Sequence, residues 1–397
     1  MTLPLEGVRV VEYAQYVAGP LCGVLLADLG ADVVKVEPPT GDGYRHVLPA
    51  APGVGRYFVP LNRGKRSIVV DLKSGEGLAT SARLLDSADV VIHNFLPDRA
   101  RRFGLEWEQL HAAQPALVVG RVTSFGTSGP LAGVPAYDLV AQARAGLLTA
   151  HASRGDTVPV RAGGIPMADL TAGFLLATGV LAALVRARQA GSGELVDVSL
   201  LAAALAVQLQ DLVWLAGEAD AQAETVSLAD RAHLDARADE IASGVALNPY
   251  YRCFEASDGF VAVACLNLAQ RRAFLALFGL EDATIDAPDL VPDDPATRAA
   301  KVDVTSAIAG AFAERSAEEW IVRLESAGVP CGRVQQRETV HADPQVVAEG
   351  LTAEVEQDGL GAIRLLGPFL RVGGATAEAA PAPALGGDTE AVLAELR

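Results

Sequence analysis

The sequence predicts an α/β protein built on a parallel sheet. Three observations carry this. Short runs rich in β-branched residues recur through the first 125 residues. Helical patterns of about 10–15 residues separate them, which is the rhythm of βαβ units. The runs are apolar at successive positions, as in a sheet covered by helices on both faces.

The elements follow in order. Val8–Glu12 (VRVVE) reads as the first strand, and Gly19–Gly30 has helical spacing and stops on a glycine. Asp32–Glu37 (DVVKVE) and Ser67–Leu72 (SIVVDL) are the second and third strands. A helix from Ser74 to about Ser87 leads into Asp89–Phe95 (DVVIHNF), and a further helix into Ala116–Phe125 (ALVVGRVTSF). A long helix covers about Leu170–Ala190. GSGE turns the chain at Gly191–Glu194, and a second apolar helix covers about Val198–Leu215. Residues 217–243 are rich in Ala, Asp and Glu and read as an exposed linker. Beyond it, YYRCFEASDGFVAVAC reads as two strands joined by a turn at Ser257-Asp258-Gly259. Helices at about Leu268–Phe278 and Thr297–Ala327 complete a smaller α+β domain, and alternating structure resumes at Gly328.

Half of the 397 residues are hydrophobic, enough for a large core, and the formal charge is −17. Such an acidic chain lacks the basic footprint of a nucleic-acid binder. It is equally unsuited to an anionic membrane surface. The four cysteines form no CxxC pair and show no metal-ligand spacing, so free thiols in a reducing, cytoplasmic compartment are expected, and no metal site. MTLPLEGVRVVEY has no basic stretch followed by an apolar one, so no secretory signal is expected. The apolar run Leu170–Val185 falls short of the roughly 20 residues that span a bilayer.

Where a dinucleotide-binding fold carries GxGxxG after its first strand, this chain has AQYVAGP, which disfavours NAD. Gln15 and Tyr16 lie there, where open α/β sheets place ligands. Asn62-Arg63-Gly64-Lys65-Arg66 and Lys73 form a basic cluster, and Arg99, Arg101 and Arg102 a second. Positive charge near element ends suits phosphates, although charge runs are often only solvated faces. Asp169 lies in GGIPMADLTAG before the long apolar helix. It reads either as an N-cap or as a carboxylate nucleophile kept ionised by the helix terminus. Asp138, after Tyr137, reads as the cap of its own helix.

Several stretches together resemble the class III CoA-transferases, the CaiB/BaiF type. They are AGPLCGVLLADLGADVVKVEPPTGD (18–42), NRGKRSIVVDLK (62–73), ADVVIHNFLPDRARRFGL (88–105), AYDLVAQARAGLL (136–148), GIPMADLTAGFLLATGVLAAL (164–184), AGVPCGRV (327–334) and LGGDTEAVLAEL (385–396). The resemblance implies a CoA-transferase in which Asp169 is the covalent nucleophile, passing through anhydride and aspartyl-CoA thioester intermediates. It implies active-site support from Gln15, Tyr137 and Asp138. Lys73, Asn94 and Arg102 look like CoA contacts with Leu72 near the adenine, and Arg63 and Lys65 belong to the same basic segment. Coenzyme A and its acyl thioesters enter as substrates beside a carboxylic acid, with no permanently bound cofactor.

The resemblance also implies an interlocked homodimer. Each chain would have a large Rossmann-like domain holding both termini (1–216 and 328–397), a linker (217–248) and a small α+β domain (249–327). Relatives acting on oxalate or formate carry a glycine run before the small domain. Here the segment is Ser243-Gly244-Val245-Ala246-Leu247-Asn248. Three alternatives stay open: an acyl-CoA racemase, for which a second base is missing beside Asp138; intramolecular transfer within a diacid; and a non-catalytic CoA binder. Arg144, Arg154 or Arg161 could meet the second carboxylate of a diacid.

Overall fold

The computed structural model describes residues 2–150, 158–215, 247–288 and 294–396, with Pro292 and parts of 234–243. Most of the expected linker, Arg154 and Gly244–Ala246 lie outside the described residues. The chain divides into two compact units. The first comprises Met1–Ala150, Val160–Asp220 and Pro344–Arg397, and the second His151–Pro159 and Ala221–Asp343.

The first unit holds strands β1 (Arg9–Glu12), β2 (Asp32–Glu37), β3 (Pro49–Ala51), β4 (Val54–Gly55), β5 (Arg66–Val69), β6 (Val90–His93), β7 (Val118–Thr123) and β8 (Leu195–Ser199). Its helices are α1 (Ala18–Asp28), α2 (Phe58–Asn62), α3 (Gly75–Asp86), α4 (Pro97–Arg102), α5 (Trp107–Ala113), α6 (Asp138–Arg144), α7 (Leu147–Ala150), α8 (Met167–Ala190) and α9 (Leu200–Ala206). Six strands form one parallel sheet in the order β5-β2-β1-β6-β7-β8. The chain starts at the middle, builds outward through β2 and β5, then returns to build the other half from β6. The reversal point between β1 and β6 is where doubly wound sheets open a ligand crevice at the carboxyl ends of the strands.

The strand sequences explain the two-sided cover. Val10, Val33, Val90 and Val118 point into a core with α1, α6, α8 and α9. Their neighbours Val11, Val34, Val91 and Val119 point into a second core with α3, α4, α5 and the terminal helix Thr389–Glu395. Period-two geometry sends successive residues to opposite faces, so both must be apolar. Helix α8 is long and apolar enough to cross a membrane by length and composition. Its Ala172, Leu176 and Val180 are instead fully buried in the first core. Gly173 lets α1 approach, because a Cβ there would stand 2.9 Å from the Ala18 carbonyl oxygen.

Two elements differ from expectation. Leu195–Ser199 is the edge strand β8, and the helix after it ends at Ala206 rather than continuing to Leu215. A hairpin, β12 (Thr352–Gln357) with β13 (Gly361–Leu366), packs Val355 and Leu365 against Phe58 and Val59 of α2.

In the second unit β9 (Tyr251–Ala256), β10 (Gly259–Ala264) and β11 (Cys331–Arg333) form an antiparallel sheet. Helices Leu268–Ala276, Pro295–Ala313 and Ala317–Ser326 contribute to its core. That core is aromatic: Phe312 stacks on Phe254 at 4.5 Å and on Trp320 at 4.4 Å between ring centroids. Because Cys331–Arg333 pairs with β10, the chain returns to the first unit at Pro344, later than the expected 328.

Candidate active site

The site is assembled at the carboxyl ends of β1, β2, β5, β6 and β7. Gln15 follows β1 and Asn94 follows β6, one on each side of the reversal point. They are locked together: the Gln15 backbone N–H donates to Asn94 Oδ1 at 3.2 Å, and Asn94 Nδ2 donates to the Gln15 carbonyl at 2.9 Å.

Beneath them lies a fully buried ionic floor. Lys35 Nζ contacts Glu12 Oε1 at 3.0 Å, Asp42 Oδ2 at 2.9 Å and the Ala14 carbonyl at 2.9 Å. Burial works against the Lys35 charge, yet Glu12 and Asp42 outweigh it and hold its pKa above the ordinary value. Lys65 Nζ donates to Glu12 Oε2 at 2.8 Å, the Pro20 carbonyl at 2.8 Å and Asn62 Oδ1 at 3.1 Å. Burial pulls Lys65 down to about 8, against the opposing pull of Glu12. Asp42 also accepts from the Tyr16 and Tyr44 backbone N–H groups. Tyr16 sits at φ +72°, a left-handed conformation rare for a bulky residue, and these bonds hold it there.

The basic segment thus divides. Arg63 and Lys65 do not face a ligand space. Arg63 is buried in a two-pronged pair with Asp28, with Nη2 to Oδ2 at 2.7 Å, and Lys65 is buried against Glu12. Both side chains are desolvated and matched to acids of the first unit, so their expected place among the CoA contacts is corrected. Leu72, Lys73 and Arg102 instead line an open cavity of about 550 Å³, together with Gln15, Phe95 and Arg99.

A second cavity of about 580 Å³ is lined by Gln15, Asn94, Phe95, Arg99, Tyr137 and Asp169, among others. Asp169 is in the first turn of α8 but is not its cap. That work falls to Asp138, which reaches over from α6. Its Oδ1 accepts from the backbone N–H groups of Ala168 at 3.0 Å and Asp169 at 3.3 Å. Its Oδ2 accepts from Gln142 Nε2 at 2.8 Å and Arg161 Nη1 at 3.1 Å. Asp138 therefore caps the neighbouring helix, which sequence spacing did not indicate.

The consequence for Asp169 is opposite to the simple helix-terminus argument. Burial, then the nearby Asp138 charge, push its pKa from 3.8 up to about 7, against a smaller pull from Arg161. The carboxyl is held at the edge of ionisation, a poise that burial and like charge commonly impose at functional sites. Tyr16 meets Tyr44 and Tyr137 edge-on at 5.5 and 5.6 Å. Tyr44 is pushed up to about 12 by burial and then by Asp169. Tyr137 is 66% exposed, with one side turned to the cavity.

Tyr16 and Tyr44 form the aromatic side of the site. Placement after β1 singled out Tyr16, but nothing in the sequence pointed to Tyr44. Arg161 is engaged by Asp138, and Arg144 is exposed in the last turn of α6. Among the described residues no group of three or more His, Cys, Asp or Glu side chains could hold a metal ion.

The chain is 33% identical over 405 residues to a succinate–glutarate CoA-transferase of Agrobacterium fabrum, covering 99% of this chain and 96% of that one. It superposes on the crystal structure of Rv3272 from Mycobacterium tuberculosis with a TM-score of 0.77, at 28% identity over 98% of this chain and 99% of that one. A CaiB/BaiF family protein from Brucella suis gives a TM-score of 0.75 at 30% identity, with both chains fully covered. Residues 5–389 match the sequence pattern of CoA-transferase family III, and the chain belongs to that family.

Proposed function

We propose that this enzyme moves CoA from an acyl-CoA to a carboxylic acid through a covalent intermediate on Asp169. The observation that carries the reading is the poised Asp169 carboxyl in the wall of a cavity at the reversal point of the sheet. Its ionised oxygen attacks the thioester carbonyl, the C–S bond breaks, and CoA thiolate leaves an acyl–aspartyl anhydride. The thiolate then attacks the aspartyl carbonyl. The donor acid departs and an aspartyl-CoA thioester remains. The acceptor carboxylate attacks that thioester and expels the thiolate, leaving an acceptor–aspartyl anhydride; the thiolate then attacks the acceptor carbonyl, forming the new acyl-CoA and freeing the Asp169 carboxylate. No bond to an activating nucleotide is consumed, because each intermediate is itself an activated acyl group.

Gln15 and Tyr137 hold the reacting acyl group, Asp138 orients Asp169, and Leu72, Lys73, Asn94 and Arg102 bind CoA. The name of the Agrobacterium relative supports dicarboxylates as the substrate class. The working form is a homodimer. Exposed Leu209, Val213, Trp214 and Leu215, together with Phe174 and Leu175 of α8, fit a covered surface.

The test is intact-mass spectrometry after mixing with succinyl-CoA and other acyl-CoAs, followed by hydroxylamine. A hydroxamate at Asp169, missing in Asp169→Ala, is the expected outcome. Equal adducts in both proteins, or none with any donor, defeat the reading. Adduct formation should rise with pH through about 7, as Asp169 loses its proton.

A further inference from the structure

The ring of Tyr16 is held on three sides. It meets Tyr44 at 88° and Tyr137 at 76° between ring planes, with centroids 5.5 and 5.6 Å away. Aromatic pairs favour this edge-on packing. Gly43 closes the third side, because a Cβ there would stand 2.8 Å from Tyr16 Cε1 and 2.9 Å from its Oη. Gly43 is not among the left-handed glycines, so room for the ring is what calls for glycine at this position. Gly43 lines neither of the two cavities described.

The Tyr16 backbone is fixed separately. Its N–H donates to both Asp42 carboxylate oxygens at 3.3 Å. A different side chain at position 16 keeps those main-chain bonds, so ring and loop path can be changed independently. Tyr16 and Tyr137 line the cavity of about 580 Å³ that contains Asp169, and neither lines the cavity of Leu72, Lys73 and Arg102. Residue 138, next to Tyr137, accepts the Asp169 N–H. Tyr44, against the other edge of Tyr16, feels the Asp169 charge. On the reading that Asp169 attacks a thioester carbonyl, the acyl chain beyond that carbon lies in this cavity, beside the Tyr16 ring. A wedged ring refuses added volume more readily than it deforms.

We propose that the Tyr16 ring is the stop that sets how long an acyl group this enzyme accepts, and that Gly43 acts as its backing. Bulk at position 16 shortens the accepted acyl chain, and removing it lengthens the chain. Gly43 influences selectivity only through the ring it supports.

The test compares succinyl-CoA with adipoyl-CoA, which is two methylene groups longer, by the second-order rate of hydroxamate formation at Asp169 in the full chain. Tyr16→Ala should raise the adipoyl-to-succinyl ratio roughly tenfold to a hundredfold, the scale on which apolar pockets sense methylene groups. Tyr16→Phe keeps the ring and should keep the wild-type ratio. Gly43→Ala should lower the ratio by crowding the ring towards the cavity, and should have no effect in the Tyr16→Ala background. If Tyr16→Ala melts below the wild type, Tyr16→Leu carries the same comparison. A ratio unchanged in Tyr16→Ala, or both rates reduced by one factor, overturns the assignment. So does a Gly43→Ala effect that persists without the ring. If neither donor gives a hydroxamate in the wild type, the inference falls, and if no acyl-CoA does, the transfer reading falls with it. A hydroxamate formed with an unchanged ratio defeats the role of Tyr16 alone.

Discussion

Replacing Asp169 with asparagine should stabilise the protein, and by more at alkaline than at acid pH. The folded pKa of about 7 lies above the ordinary 3.8, so the native state resists ionisation that the unfolded chain accepts. For a raised acid the native state is unpenalised below about 4. The penalty grows as the unfolded chain ionises and levels off above about 7. The elevation corresponds to about 4 kcal/mol at roughly 1.4 kcal/mol per pH unit. Because the carboxyl opens onto a solvated cavity, about 2–4 kcal/mol is the working figure. Asparagine cannot ionise and keeps nearly the same volume, so it escapes the penalty. Urea unfolding of both proteins at one protein concentration, at pH 5 and pH 8, measures this. The advantage of the variant should grow by about 1–3 kcal/mol between the two. A pH-independent difference, or a variant less stable at pH 8, would refute the claim that burial and Asp138 poise this carboxyl.

Two further outcomes follow from the buried charges. Arg63→Met strands the Asp28 carboxylate in the core and should cost about 3–5 kcal/mol. The CoA affinity of the folded fraction should be unchanged by calorimetry, since Arg63 is buried against Asp28 and lines neither of the two cavities described. Gly23→Ala would place a Cβ 1.9 Å from Glu12 Oε2 and 3.0 Å from Lys65 Nζ, two side-chain ends that their buried ion pair at 2.8 Å holds in place. It should lose about 1–3 kcal/mol or more in thermal denaturation, and an unchanged melting temperature contradicts the tight floor.

The strands β1, β2, β5, β6 and β7 were legible because burial on both faces leaves apolar runs that polar loops interrupt. Their registers and order were not, since parallel pairing joins residues far apart, such as Val10 with Val33 and Val90. Leu195–Ser199 was missed because an edge strand of five residues next to an apolar helix has no period of its own. Motif and placement single out Asp169 as the candidate nucleophile. They do not show its poise, because the Asp138 charge and the desolvation come from tertiary contacts. The basic run Asn62–Arg66 illustrates the same limit. A local charge count cannot reveal that Glu12 and Asp28, more than 30 residues away in sequence, take Lys65 and Arg63 inside.

The ionic floor has a consequence for how such a site can diversify. Glu12, Lys35 and Asp42 fix the Tyr16 backbone from below, inside strands and tight turns where substitution strands a charge. The upper boundary of the cavity lined by Asp169 is different. Much of it is the segment 124–137, which is closed on itself by the Ser124–Ala136 pair and tied to its surroundings at its start, where the Leu201 N–H donates to the Ser124 carbonyl at 3.1 Å and the Gly126 N–H to Thr123 Oγ1 at 3.1 Å. New substrates can therefore be accommodated by editing that segment while the nucleophile and its alignment are inherited untouched. Descent within such a lineage should leave its record in the ceiling of the cavity and almost none in its base.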